Sequence, residues 1–498
     1  MEKLQNRVEK LTGILDVAKA LVAERDLDRL LKMIVQSAAR IVEADRCSLF
    51  LVDEERGELW SKIAQGVDMK EIRVPMGRGI AGRVAADGAS INIPDAYADA
   101  RFNQNVDKQT GYHTRSILCV PMRSVEGNVV GVLQALNKNG EGPFTAEDEE
   151  LLSALGGQAA AAVNNALLHQ EIEQLFEGFV RASVVAIESR DPSTAGHSGR
   201  VARLSVGLAD ALPLAASTAG RWKGEKLSGA ERQELRYAAL LHDFGKVGVR
   251  ENVLVKANKL EPLELESLRG RFETIVIQEE LAAERQKVQV LSQRPWREAQ
   301  DLLAAIDEGL AARRRELTSM FEFVLSCNKP TILPEGSFDR LGDIARTTFT
   351  GPFGGDPRPY LNEGEVLKLS IRKGSLTEEE RREIESHVTH TFRFLSQIPW
   401  TRTLRRVPAI AYGHHEKLTG RGYPRSLKEP EILLPTRMMT ISDIYDALTA
   451  SDRPYKRAVP QDKAYDILSD EAKRGEVDGD LLRVFIEADI PGRSGREP

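Results

Sequence analysis

Residues 414–424 read HHEKLTGRGYP: two adjacent histidines beside an acid, running at once into a glycine-rich turn that carries a tyrosine and a proline. A neutral imidazole offers one nitrogen to a cation, so two side by side suit neighbouring cations. Other segments offer matching groups. AGHSGRVARL supplies His197, AALLHDFGKVG supplies His242, Asp243 and Lys246, IESHVTHT supplies His387 and His390, and TISDIYDALTA supplies Asp443 and Asp446. A carboxylate has two oxygens and bridges cations about 3.5–4 Å apart, so mixed His and Asp ligands point to a multi-metal site. An ionised Asp inside an apolar helix is costly to bury without a partner, which sets the His242–Asp243 pair apart from a chance dipeptide. Lys246 follows His242 by one helical turn on the same face, within reach of a substrate phosphate. His390 is read as a packed side chain.

Such a site polarises a phosphoryl oxygen and brings the pKa of a bound water towards neutrality, which suits in-line attack on a phosphodiester. Oxygen and nitrogen donors without thiolates favour iron, manganese or a similar divalent metal over structural zinc. Cys47, Cys119 and Cys327 are odd in number and far apart, and read as buried small side chains.

At 498 residues and 41% hydrophobic content the chain can bury more than one core. The net charge of −6 comes from 75 acids and 69 bases that are interspersed, which argues against a nucleic-acid duplex as partner. No 18 uncharged apolar residues run together and the first residues are charged, so a soluble, cytoplasmic protein without a membrane span is expected.

Four regions emerge along the chain. Residues 1–25 carry Leu4, Val8, Leu11, Leu15, Ala18 and Val22 in alternating steps of four and three, an amphipathic seam that suits a homodimer contact. Residues 26–168 contain the strand-like runs CSLFLVD, SILCVPM and VVGVLQALN between turn residues, which predicts a small antiparallel sheet with flanking helices. Residues 145–189 lack proline, and the apolar positions shift once along the stretch, which predicts one long connecting helix. Residues 187–490 are helical in pattern and hold six of the eight histidines. Within them KLEPLELESLRGRF (259–272) echoes SLTEEERREIESHV (375–388), setting Arg271 against His387. The span 257–370 therefore reads as an insertion, a helical hairpin and then an irregular loop. Its Arg313, Arg314 and Arg315 read as a solvated helix face.

HDFGK, HHEKLTGRGYP and SDIYDALTASDRPYK together resemble the HD-GYP family of metal-dependent phosphohydrolases, a branch of the all-helical HD superfamily. The likeness spans roughly 187–256 and 371–488. It implies hydrolysis of cyclic di-GMP to pGpG and/or GMP, or of cyclic GMP-AMP, by a water activated between metals. It further implies two or three divalent ions held by His197, His242, Asp243, His387, His414, His415 and Asp443, with Lys246 assisting at the phosphate. Gly420, Gly422, Tyr423 and Pro424 would form the substrate-side turn, and Arg453 and Lys456 would grip guanine or phosphate. Glu188 is a further acidic ligand candidate. Leu418 and Thr419 stand where the family usually has Trp-Asp or a similar pair; neither position ligates metal. Were the first echo copy in the family position, Arg271 would replace a ligand, and a guanidinium cannot bind a cation; His387 is the reading adopted. A linear dinucleotide as substrate, or a catalytically silent dinucleotide receptor, are the alternatives.

The N-terminal half resembles GAF domains. LNKNGEGPFTAEDEELL holds Asn137, Lys138, Phe144, Asp148 and Glu149, matching a signature of many GAF domains, some of which bind cyclic nucleotides, and GIAGRVAADGASINIPDAYAD is GAF-like too. A cyclic nucleotide or other small ligand is one reading of the signature, with Asp95, Arg115 and Ser116 near a pocket. A Lys to Asp ion pair clamping a loop to a helix is the other.

Overall fold

The structure, a computed structural model, describes residues 15–64, 72–140, 142–191, 195–215, 219–450 and 458–494. Arg453, Lys456 and the first half of the N-terminal seam, Leu4 to Leu11, lie outside these. The chain divides into two compact units, 1–178 and 179–498.

Among the described residues the first unit has six strands: β1 (Ala44–Asp53), β2 (Glu58–Ala64), β3 (Ile72–Pro75), β4 (Ile91–Ile93), β5 (Ile117–Arg123) and β6 (Val129–Lys138). They form one antiparallel sheet in the order β3-β2-β1-β6-β5-β4, closed in the middle by the β1–β6 pair. Side chains alternate across such a sheet, and the two faces have separate cores. Cys47, Leu49, Leu51, Leu118, Val120, Met122, Leu133 and Ala135 meet helix Leu27–Ile41 and the first half of helix Ala146–Arg190. The opposite parity, Phe50, Ile117, Cys119 and Val132, packs on helix Gly79–Asp87. Residues 15–23 are helical. There Leu21 is buried, whereas Leu15 and Val22 of the predicted seam stay exposed.

Helix Ala146–Arg190 is one uninterrupted element of 45 residues. By length and composition alone it could cross a membrane, yet half of that apolar stretch is buried in protein, because Leu152, Leu155, Ala159, Val163 and Ala166 belong to the sheet's core.

The second unit is helical. Helices His197–Ala211, Gly229–Leu241 and Leu434–Thr449 pack together, and helix His387–Leu395 lies against the 3₁₀ turn Phe244–Gly248. That approach depends on Gly245: a β-carbon there would fall 1.9 Å from the His387 carbonyl oxygen. The segment 257–370 has an apolar core of its own. Helices Pro262–Gln293 and Trp296–Asn328 form a hairpin around the Arg294–Pro295 break. Leu268, Phe272, Ile275, Leu317 and Val324 pack there with Leu341 and Ile344 of helix Ser337–Arg346 and with Tyr360, Leu361 and Leu369. Lys259, fully buried, donates from Nζ to the Leu369 carbonyl at 3.1 Å, which ties the two ends of the segment together. Arg313 and Arg314 pair with Glu279 and Glu280 of the facing helix, so their cluster laces the hairpin.

Candidate metal centre

Five segments far apart in sequence deliver seven of the predicted ligands to one place. His197 opens helix His197–Ala211, His242 caps the end of helix Gly229–Leu241 with Asp243 next, and His387 opens helix His387–Leu395. His414 and His415 follow helix Val407–Ala411, and Asp443 stands inside helix Leu434–Thr449. Among the described residues, ligand atoms within 4.8 Å of one another form three groups: His387, His414 and His415; His197, His242 and Asp443; and His242, Asp243 and His414. Asp243 faces both sides. Its Oδ2 lies 3.6 Å from His242 Nε2 and 3.9 Å from His197 Nε2, while its Oδ1 lies 3.3 Å from His387 Nε2. Asp443 Oδ1 is 3.2 Å from His197 Nε2 and 3.8 Å from His242 Nε2.

The imidazoles are aimed by the backbone. Nδ1 of His242, His387 and His414 donates to the carbonyl three residues earlier, at Ala239, Ile384 and Ala411, over 2.8, 2.5 and 2.7 Å. This fixes the tautomer and turns each Nε2 inward, the arrangement by which proteins hold a histidine towards a metal. The inward Nε2 atoms of His242, His387 and His414 are buried without a hydrogen bond. An unmet buried polar group costs about 1–3 kcal/mol, so three turned into one cluster fit cations. His197 is aimed by a side chain instead: its Nδ1 donates to Asp446 Oδ2 at 2.7 Å, and Arg200 grips both oxygens of Asp446 at 2.7 and 3.0 Å.

Electrostatics agree with the geometry. Burial, together with the neighbouring His415, His242 and His387, holds His414 far below its ordinary pKa. Burial likewise brings His415 down to about 4, although Asp443 opposes the shift. Both are neutral donors at ordinary pH. His197 goes the other way: burial would lower it, but its bonds to Asp443 and Asp446 outweigh that and raise it to about 9. The carboxylates thus call for a positive charge where a proton or a metal ion can stand. For Asp243, burial is outweighed by the charge of the adjacent Lys246 ammonium, and the carboxyl stays well below its usual range.

A cleft of about 350 Å³ opens onto this cluster, lined among others by Asp191, Asp243, Lys246, His415, Tyr423 and Asp443. Lys246 Nζ sits 2.8 Å from Asp243 Oδ2 and 3.2 Å from Asp191 Oδ2. Asp191 was not singled out in the sequence; its one signal was an acid at the end of a long helix, three residues beyond the predicted Glu188. Glu188 has a buried Oε1 without a hydrogen bond, but it is neither grouped with the other ligands nor a wall of the cleft. His390 packs over Gly248, apart from the cluster. Arg271, the echo of His387, pairs with Glu365 at 2.8 Å inside the 257–370 core.

The turn after the paired histidines is held against them. Glu416 is buried and accepts from the backbone N–H of Arg425 at 2.7 Å and Leu427 at 2.9 Å, closing the loop. Gly420 has φ +75°, a conformation glycine adopts without strain. Pro424 follows a cis bond from Tyr423. The Tyr423 ring lies 4.8 Å from that of His415. A β-carbon on Gly422 would come within 2.3 Å of Lys417 N and 2.5 Å of the His415 carbonyl oxygen. Gly422→Ala must therefore displace the backbone that carries His415. We expect a loss of about 1–3 kcal/mol of stability and weaker metal retention, read by thermal unfolding and metal analysis.

In the first unit the signature residues form a closed network. Lys138 Nζ donates to Asp148 Oδ1 at 2.8 Å and to the Val42 carbonyl at 3.0 Å, and Asp148 Oδ2 accepts from Thr145 N and Oγ1 at 2.8 and 2.9 Å. Asn137, at φ +54°, accepts from the N–H groups of Arg115 and Ser116 and donates to the His113 carbonyl. Phe144 is buried, its carbonyl accepting from Asn92, and Glu149 accepts from Ser90. Asp95 accepts from Tyr97 N at the start of a short 3₁₀ turn. The geometry is that of the clamp reading. Burial would raise the Asp148 pKa, but the bonds from Lys138 and Thr145 outweigh it and lower it. Asp148→Ala is expected to cost about 3–5 kcal/mol, because Lys138 loses its buried partner. A lowered carboxyl stabilises the fold above its ordinary pKa of 3.8 and ceases to as pH falls through the folded value. The difference between variant and parent in urea unfolding should therefore narrow in acid.

Comparison with known proteins gives the same division. A GAF domain model matches residues 26–163, and two HD domain models match 194–308 and 361–481. Dual 3′,5′-cyclic-AMP and -GMP phosphodiesterase 11A of Takifugu rubripes is 39% identical over 166 residues, which are 31% of this chain and 18% of that protein. Probable 3′,5′-cyclic phosphodiesterase pde-5 of Caenorhabditis elegans is 36% identical over 174 residues, 32% of this chain and 24% of that protein. The chain thus spans under a quarter of the length of these relatives. Among solved structures, the GAF domain of a phosphoenolpyruvate-protein phosphotransferase from Coxiella burnetii is 24% identical, covering 33% of this chain and 99% of that one, with a TM-score of 0.31. The chain therefore joins a GAF domain to a region matched by HD domain models.

Proposed function

We propose that the chain is a metal-dependent phosphodiesterase that cleaves cyclic di-GMP to pGpG and/or GMP, acts as a homodimer, and is regulated by a small ligand, a cyclic nucleotide, in its GAF domain. The observation that carries the reading is Asp243, whose two oxygens face separate sets of inward-turned imidazoles. His197, His242, Asp243, His387, His414, His415 and Asp443 would hold two divalent ions, iron or manganese, with any third ion depending on Glu188 or Asp191. Such ions act as Lewis acids on a phosphoryl oxygen and acidify the attacking water.

The chain's own residues do the rest. Lys246 is a permanent cation at ordinary pH: burial would lower its pKa, but Asp243 and Asp191 outweigh that and raise it above the usual lysine value. It therefore stabilises charge on the phosphate and does not exchange protons. Asp191 holds Lys246 over the cleft, and Tyr423 offers a ring as a wall for the base. Incubating metal-loaded protein with cyclic di-GMP and identifying products tests the reading. Unaltered dinucleotide would leave a receptor as the better description. The names of the relatives favour a second reading, 3′,5′-cyclic mononucleotides as substrates. Cyclic AMP, cyclic GMP and cyclic GMP-AMP belong in the same assay, and the largest kcat/KM decides among them.

A further inference from the structure

We infer that the segment 257–370 contains a second small-molecule site, one that takes a nucleotide through its phosphate. A cavity of about 430 Å³ lies between helix Pro262–Gln293 and a short hairpin formed by β7 (Thr348–Phe349) and β8 (Arg358–Pro359). That volume is within the range of about 300–1,000 Å³ that small-molecule sites occupy. Its polar lining is Ser267, Arg271, Thr274, Arg358 and Asn362, with no carboxylate among the lining residues. Arg271 is fixed in place by Glu365, at 2.8 and 3.1 Å, and by the Tyr360 carbonyl at 2.9 Å. Glu365 balances that one charge. Arg358 is exposed and forms no ion pair among the described residues, so the cavity keeps an uncompensated guanidinium, the group best shaped for phosphate.

The remaining features suit the rest of a nucleotide. Gly270 lines the cavity on the helix, and a β-carbon there would meet nothing within 4 Å, so a ligand can approach the helix backbone. Gly351 and Pro352 of the loop TGPFGGDP line the other side, and the next residue, Phe353, is fully exposed. A phenyl ring on the residue that follows a lining proline provides a face on which the base of a phosphate-bound nucleotide can stack. None of these residues belongs to the metal centre, so the site stands whatever the enzyme's substrate.

The test is calorimetric titration of the metal-loaded full chain with GMP, guanosine and inorganic phosphate. In the parent protein GMP should occupy one more equivalent than in Arg358→Ala or Gly270→Phe; the first removes the guanidinium, and the second fills the cavity from an open helix position. Arg358→Ala should weaken this equivalent at least about tenfold, a common scale for a charge-assisted phosphate contact. Guanosine should show no difference between parent and variants, and Phe353→Ala should weaken GMP but not phosphate. Cyclic dinucleotide hydrolysis should be unchanged in all three variants. Identical GMP isotherms for the parent, Arg358→Ala and Gly270→Phe would overturn the proposal. So would inorganic phosphate binding as tightly as GMP, which would make the cavity a plain anion site.

Discussion

His387→Ala should release bound metal and lower hydrolysis by at least about 10²-fold, since even a partner one shell further out is commonly worth 10–100-fold in metal affinity or activity. The reason lies in the geometry: His387 Nε2 faces Asp243 Oδ1, on the side away from His242 and His197, and joins His414 and His415 in one group. No other imidazole in the group meets that oxygen so closely. His390→Ala, one turn along the same helix, is the control, because His390 packs over Gly248 and should leave the metal content unaltered. Metal analysis of the two variants beside the parent reads the result directly. Equal metal in His387→Ala and the parent would remove His387 from the centre and reopen the question of which echo copy supplies the ligand.

That question shows how far the sequence could be read. Short apolar runs such as CSLFLVD and SILCVPM between turn residues made the sheet of the first unit legible, because a strand buried on both faces is apolar at successive positions, a local signal. The ligands were legible as residue types, His and Asp in apolar helical surroundings, but not their division around Asp243, which depends on helices packed from 197 to 443. Groups that act through others were harder to see. Asp446 sits one turn after Asp443 and reads in the sequence as another carboxylate offered to a metal; its work of orienting His197 needs Arg200, some 246 residues away in sequence. Asp191 went unread, with Glu188 the acid named on that stretch, because helical register alone does not say where a helix ends. Glu416, noted in the sequence only as an acid beside the histidines, closes the turn through backbone N–H groups, a role with no side-chain signature.

Removing Lys246 should expose the division of labour between cations and protein. Lys246→Ala is expected to lower kcat by about 10²–10³-fold, the usual loss when one preorganised charge donor leaves a site. KM should move little if the contact strengthens only as charge develops on the phosphate. Metal content should persist, since the imidazoles and both Asp ligands remain. Because the Lys246 pKa lies above that of ordinary lysine, its titration cannot shape the activity profile near neutrality, so parent and variant should share one pH profile at different heights. Lys246→Arg, which keeps the charge, should recover part of the loss, and Asp191→Asn should cost less than Lys246→Ala because it loosens the ammonium without removing it. A Lys246→Ala profile with one limb missing would instead make Lys246 a proton donor. Catalysis would then depend on its deprotonation, against the pull of two carboxylates within 3.2 Å.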